Sequence, residues 1–166
     1  DETDIFTELG DFINKIPKDE TKERMKMKEV LILEDKSETR KVLAGLVKEV
    51  HSDAVIYEAA DEKTAYDIAM KRTIDLFLVD IILHPQQHDD VSGGEFAQNI
   101  RKVDKYLFTP ILIITSMYDP KMCMYSSVHC YQFIEKPFDF EKVKQTIQEA
   151  IRYETVQEKD RSLMFR

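Results

Sequence analysis

Between residue 29 and about residue 152, short apolar runs alternate with stretches whose apolar residues recur every three or four positions. That alternation is the signature of βαβ units built around a parallel sheet. Five runs predict strands: Val30–Leu33, Val55–Glu58, Leu76–Val79, Ile111–Ile114 and Tyr131–Ile134. Between the first two, Val42, Leu43, Leu46, Val47 and Val50 form one stripe at helical spacing. A second helix is expected to open with Asp61 as N-cap and to bury Ala65, Ile68 and Ala69. A third follows Gly93-Gly94, with Phe96, Ala97 and Ile100 turned inward. Asp119-Pro120 sets a capping carboxylate ahead of a proline at the first helical position and predicts a fourth. Asp139 begins a fifth, whose core face carries Val143, Ile147, Ala150 and Ile151.

The third and fourth strands are continuously apolar, as strands covered by helices on both faces must be, whereas the second alternates and belongs at an edge. Right-handed crossovers leave few arrangements. The expected fold class is α/β: a doubly wound, flavodoxin-like sheet of five parallel strands in the order 2-1-3-4-5. Ligands of such sheets bind beyond the carboxyl ends of the strands, at the switch point. At those ends stand Glu34-Asp35, Asp80, Thr115-Ser116 and Lys136-Pro137. Taken singly, each has a plain structural use as a cap, a strand end or a solvated charge. Taken together, three carboxylates on one edge repel unless a cation joins them. An all-oxygen set suits a hard ion such as Mg²⁺, or Mn²⁺ in its place. Lys136 adds a point charge suited to phosphate.

Four motifs stand at these positions: Leu31-Ile32-Leu33-Glu34-Asp35, Leu78-Val79-Asp80, Ile113-Ile114-Thr115-Ser116 and Phe133-Ile134-Glu135-Lys136-Pro137-Phe138. On them, the segment from about 28 to 152 resembles the receiver domain of two-component response regulators, the CheY-like family. The resemblance implies that Asp80 is the phosphoacceptor and that Glu34 and Asp35 are the acidic pair at the metal. It makes the backbone carbonyl of Ile82 a further metal ligand, Thr115 the hydroxyl on the phosphoryl group and Lys136 the phosphate-binding lysine. Phe133 falls on the switch aromatic, which would reshape the surface of the fourth helix, fifth strand and fifth helix. The donor implied is a phosphohistidine on a sensor histidine kinase or phosphotransfer protein; the chain has no GxxxxGK[ST] loop to hold ATP. The protein is then mainly a signalling switch that catalyses its own phosphorylation and slow dephosphorylation. Slow loss is expected because Ile82 and Met117, at places that influence water access in this family, are both apolar.

Two other readings compete. A haloacid-dehalogenase-type phosphatase also uses an Asp nucleophile beside Mg²⁺, but its DxD arrangement is missing, since Ile81-Ile82 follow Asp80. A receiver-like scaffold that never takes phosphate is disfavoured by the full set of acceptor, acidic pair, hydroxyl and lysine. The chain also departs from the family in the twelve residues between Asp80 and Gly93-Gly94, longer than the usual link. His84, His88, Asp89 and Asp90 in that loop suggest a transition-metal site, and an exposed polar loop explains them as well. The insertion is expected to alter kinase choice or access to the site.

Composition narrows the function further. The formal net charge of −8 provides no basic surface for a phosphate backbone, so direct nucleic-acid binding by this chain is not expected. No apolar run approaches the roughly 20 residues of a membrane span. The two cysteines, Cys123 and Cys130, lack metal or disulfide-framework spacing and predict a reducing, cytoplasmic setting, with Cys130 a small core residue. His51 and His129 read as surface or satisfied residues. Residues 28–152 are expected to form the receiver domain. Residues 1–27 read as an amphipathic helix, with Ile5, Phe6, Leu9, Phe12, Ile13 and Ile16 on one stripe, followed by a charged linker. Packing on the domain, which is preferred, mediating dimerisation or belonging to a neighbouring module are its candidate roles. Residues 153–166 read as an extension of the last helix toward an effector domain or partner protein. A start at Asp1 rather than Met predicts a piece of a longer polypeptide.

Overall fold

The structure, a computed structural model, describes residues 28–116 and 128–164, the last twelve by backbone alone. The stripe at residues 5–16, the helix expected from Asp119, Met117 and Cys123 all lie outside the described residues. In chain order the elements are β1 (Glu29–Leu33), α1 (Ser37–Val50), β2 (Val55–Ala59), α2 (Glu62–Lys71), β3 (Leu76–Val79) and α3 (Ser92–Ile100). After a 3₁₀ turn at Asp104–Tyr106 come β4 (Ile111–Thr115), β5 (Gln132–Glu135) and α4 (Phe140–Met164). All five strands are parallel, in the order β2-β1-β3-β4-β5. Strands and order agree with the expectation to within a residue at each end.

Strand periodicity of two divides the core between the two faces. Leu31, Leu33, Phe77, Val79, Ile111 and Ile113 face Ala65 and Ala69 of α2 and Phe96, Ala97 and Ile100 of α3. Val30, Ile32, Leu76, Leu78, Leu112 and Ile114 face Leu43, Leu46 and Val47 of α1 and Val143, Ile147 and Ala150 of α4. Every residue of β3 and β4 is buried, which explains their unbroken apolar sequence, while the edge strand β2 is mostly half-buried. Asp61 caps α2 as its sequence predicts, its Oδ1 accepting from Thr64 N at 2.8 Å. Asp139 does the same for α4 through Lys142 N at 3.0 Å.

Three details differ from the expectation. α3 begins at Ser92, so Gly93 and Gly94 lie inside its first turn rather than ahead of it. A Cβ on Gly93 would stand 1.7 Å from the carbonyl oxygen of Asp80, a contact only glycine avoids. The ring nitrogen Nε2 of His51 is buried without a hydrogen-bond partner, so this residue is not a satisfied one. Cys130 is half-buried against the core rather than fully inside it.

Candidate functional site at the carboxyl edge

The ladder continues one residue past the strands. Glu34 N donates to Ala59 O at 3.0 Å, Asp80 N to Leu33 O at 2.9 Å and Lys136 N to Thr115 O at 2.8 Å. Residues separated by as many as 102 positions are therefore delivered in register to one edge. There the carboxylates of Glu34, Asp35 and Asp80 each offer an oxygen, all within 4.8 Å of one another. Lys136 Nζ donates to Glu34 Oε2 at 2.5 Å and to Asp80 Oδ2 at 2.6 Å. Glu34 and Asp80 are buried and Asp35 is half-buried. Of the structural uses considered for the acidic pair, only Glu34 touches the start of α1: its Oε1 accepts from the amide of Lys36, the cap residue, at 3.1 Å, while the Lys36 side chain makes no capping bond.

The electrostatics follow from burial and crowding. Desolvation, reinforced by the Asp80 carboxylate, outweighs the bonds from Lys136 and the Lys36 amide and pushes Glu34 up to about 7. Burial by itself would lower the Lys136 ammonium, but the hydrogen bonds it donates to Asp80 and Glu34 hold it above its ordinary value. One ammonium is thus shared by two buried carboxylates, with a third carboxylate alongside. That is a set of oxygen donors suited to a small divalent cation.

The other predicted residues surround this cluster. Ile82 N donates to Asp80 Oδ1 at 3.1 Å and its side chain is half-buried. Thr115 ends β4, wholly buried, in register with Glu135. Phe133 pairs with Ile113 and is partly buried against the α2/α3 side of the core. The long loop does not build a second metal site: among the described residues its imidazoles and carboxylates form no group of three. His84 Nε2 instead meets Glu62 Oε2 at 3.3 Å, and His88 pairs with Asp89 in solvent.

Two contributors escaped the sequence reading. Arg40 on α1 donates from Nη1 to the Glu34 carbonyl at 2.8 Å and from Nε to Glu58 Oε1 at 3.1 Å, fixing the backbone at the acidic pair. Gly93 lets α3 rest directly on the Asp80 backbone, with Gly93 N donating to Ile81 O at 2.9 Å. The glycine pair was visible as a helix signal, but nothing local in sequence shows which backbone it would meet.

Fold and edge together define a doubly wound α/β domain with an acidic, lysine-bridged site at its switch point. The response regulator receiver domain profile matches residues 30–148, and the chain belongs to that family, the receivers of two-component systems. The sensory transduction protein LytT of Bacillus subtilis is 28% identical over 121 residues, covering 73% of this chain and 47% of that protein. LytT of Enterococcus faecalis is 30% identical over 121 residues, with the same two coverages. The chain thus spans about half the length of the curated relatives it matches. Among solved structures, the chemotaxis response regulator CheY4 of Vibrio cholerae is similar with a TM-score of 0.63 and 26% identity, covering 75% of this chain and 98% of that one. Among the described residues no helix is long and apolar enough to cross a membrane.

Proposed function

We propose that the chain is a phosphoacceptor switch: Asp80 accepts a phosphoryl group from a phosphohistidine on a sensor histidine kinase or phosphotransfer protein. The observation that carries this reading is the single ammonium of Lys136 bridging Asp80 and Glu34 beside Asp35. Phosphoryl transfer needs positioning and charge neutralisation more than covalent help. A carboxylate oxygen of Asp80 attacks phosphorus, the P–N bond of the donor breaks, and the imidazole leaves with the electron pair. Lys136, already against Asp80 Oδ2, is placed to neutralise charge that develops on the phosphoryl oxygens. Glu34, Asp35, Asp80 and the Ile82 carbonyl would hold Mg²⁺ or Mn²⁺, which when bound supplies charge neutralisation between acceptor and phosphoryl oxygens.

Output rests on Thr115 and Phe133. A phosphoryl group adds about −2 charge and three acceptor oxygens. It would draw the Thr115 hydroxyl toward the site and leave room for the Phe133 ring, biasing two states of the surface that the fourth helix expected from Asp119 would share with β5 and α4. Residues 28–152 form the receiver unit in this reading. Flanking segments are the places for an effector domain, a partner protein or a homodimer contact. The setting is cytoplasmic. The apolar character of Ile82 and Met117 supports slow self-hydrolysis of the aspartyl phosphate.

The test is incubation of the chain with acetyl phosphate and Mg²⁺ followed by intact mass. Gain of one phosphoryl group that persists for minutes or longer, and is absent in Asp80→Asn, is expected. Rapid turnover of phosphate esters would instead mark a phosphatase, and no gain a scaffold. Loss of phosphorylation-dependent partner binding in Phe133→Ala tests the output step.

A further inference from the structure

The insertion after Asp80 is tied down close to the acceptor. Ile81 and Leu83 are buried in the core on either side of Ile82, and the exposed tip is confined to residues 85–89. One oxygen closes the base of the loop. Asp90 Oδ2 accepts from Leu83 N at 2.9 Å, from His84 N at 3.0 Å and from Ser92 Oγ at 3.1 Å. A step inward, Gly93 N donates to Ile81 O at 2.9 Å and Ile82 N to Asp80 Oδ1 at 3.1 Å. Burial pushes the Asp90 carboxyl up, but the His84 and Leu83 amides and the Ser92 hydroxyl bring it below its ordinary range, so the clip is made by an anion. Asp89, just before it, takes a φ of 60°, which turns the chain back toward the base. The cation-competent carboxylates are Glu34, Asp35 and Asp80, and Asp90 is not among them.

We propose that Asp90 is a positioning residue for the cation site, a clip that closes the insertion so that the backbone at Ile82 keeps its place beside Asp80. This rests on the phosphoacceptor reading, in which the Ile82 carbonyl is a metal ligand. The five exposed residues of the tip would otherwise pull on the chain three positions from the acceptor. With residues 83, 84, 90 and 92 joined through one carboxylate, motion of the tip stops before it reaches Ile82. The tip is then free to vary without cost to the site.

The test titrates Mn²⁺ into the full chain, followed by electron paramagnetic resonance, for the parent, Asp90→Ala, Asp90→Asn and His88→Ala, with metal-free thermal melts of each. Residues that orient metal ligands typically contribute tenfold or more in affinity, so Asp90→Ala is expected to raise the Mn²⁺ dissociation constant about tenfold. Asp90→Asn retains an acceptor without the charge and is expected to fall between, about threefold above the parent. His88→Ala, at the tip, should bind as the parent does. Labelling by acetyl phosphate and Mg²⁺ should reach the parental extent in His88→Ala. An Asp90→Ala chain that folds and binds Mn²⁺ like the parent overturns the proposal. If that variant does not fold, parental binding by Asp90→Asn overturns it. A parent chain that binds Mn²⁺ but takes no phosphoryl group overturns the phosphoacceptor reading instead, and leaves the comparison of metal affinities intact.

Discussion

Replacing Gly93 with alanine puts a methyl group where no room exists. The added Cβ would lie 1.7 Å from the Asp80 carbonyl oxygen, 2.8 Å from its carbon and 3.1 Å from the Ile81 Cα. All three atoms are backbone, so no rotamer change relieves the clash. Either α3 or the end of β3 must retreat by more than an ångström, and the Gly93 N to Ile81 O bond is stretched with it. Overpacking of this kind costs about 1–3 kcal/mol, and the weakened hydrogen bond about 1 kcal/mol more. Better helix propensity of alanine returns up to about 1 kcal/mol. The expected net loss is about 1–4 kcal/mol, a fall in Tm of roughly 4–16 °C at about 4 °C per kcal/mol for a domain of this size. Gly45 provides the internal control. It sits in the middle of α1, exposed, with nothing within 4 Å of an added Cβ, so Gly45→Ala should stabilise by about 0.5–1 kcal/mol. Urea unfolding followed by circular dichroism reads both. Equal midpoints for Gly93→Ala and the parent would refute the packing argument, because the same reasoning predicts opposite signs at the two glycines.

Further predictions concern charge. Glu34 is raised from 4.5 to about 7 in the folded chain, so the native state holds the extra proton between those values. Stability without metal should therefore fall as pH rises from about 4.5 to about 7, and Glu34→Gln should flatten that slope in urea titrations. Millimolar Mg²⁺ at pH 8 should raise the parental Tm by binding the folded state, and Asp35→Asn should remove most of that rise in calorimetry. Arg101 donates to the carbonyls of Val128, Tyr106, Leu107, Thr109 and His129. Arg101→Lys, which lacks the planar fork, should cost about 2–4 kcal/mol in unfolding experiments with little effect on Mg²⁺ affinity.

The strands and their order were legible because two rules act together: continuous apolar runs mark doubly covered strands, and handedness leaves few orders for them. Once the order is known, Glu34, Asp80 and Lys136 must share an edge, since parallel strands end on the same side. What remained hidden depends on distances between segments that no local pattern encodes. Gly93 reads as a helix signal whether or not a carbonyl lies beneath it. Arg40 reads as one charge of an exposed helix face until its reach to the Glu34 carbonyl is seen. Ile81 and Leu83 read as part of a loop, although they are buried in the core and keep the insertion from swinging free. Asp90 is one of several polar residues there, and only the convergence of Leu83, His84 and Ser92 sets it apart.

The arrangement of charge explains why one lysine serves both the resting chain and the proposed phosphorylated one. Three ionised carboxylates and one ammonium leave two negative charges at a largely buried edge, and burial makes that surplus costly. The fold meets it in two ways. Glu34 takes a proton readily, and Lys136 is held charged against both buried carboxylates. Neither device fills the site: Asp35 stays half-exposed beside Glu34 and Asp80, so an oxygen remains on the solvent side for a divalent ion. A phosphoryl group on Asp80 would move negative charge outward from the carboxylate to oxygens farther from the sheet. Lys136 approaches Asp80 from the end of β5, on a strand register fixed by the Lys136 N to Thr115 O bond. Its flexible stem can follow the charge outward while the strand stays put. The same movement would release Glu34 from its shared counter-ion, which ties the protonation of Glu34 to the state of Asp80.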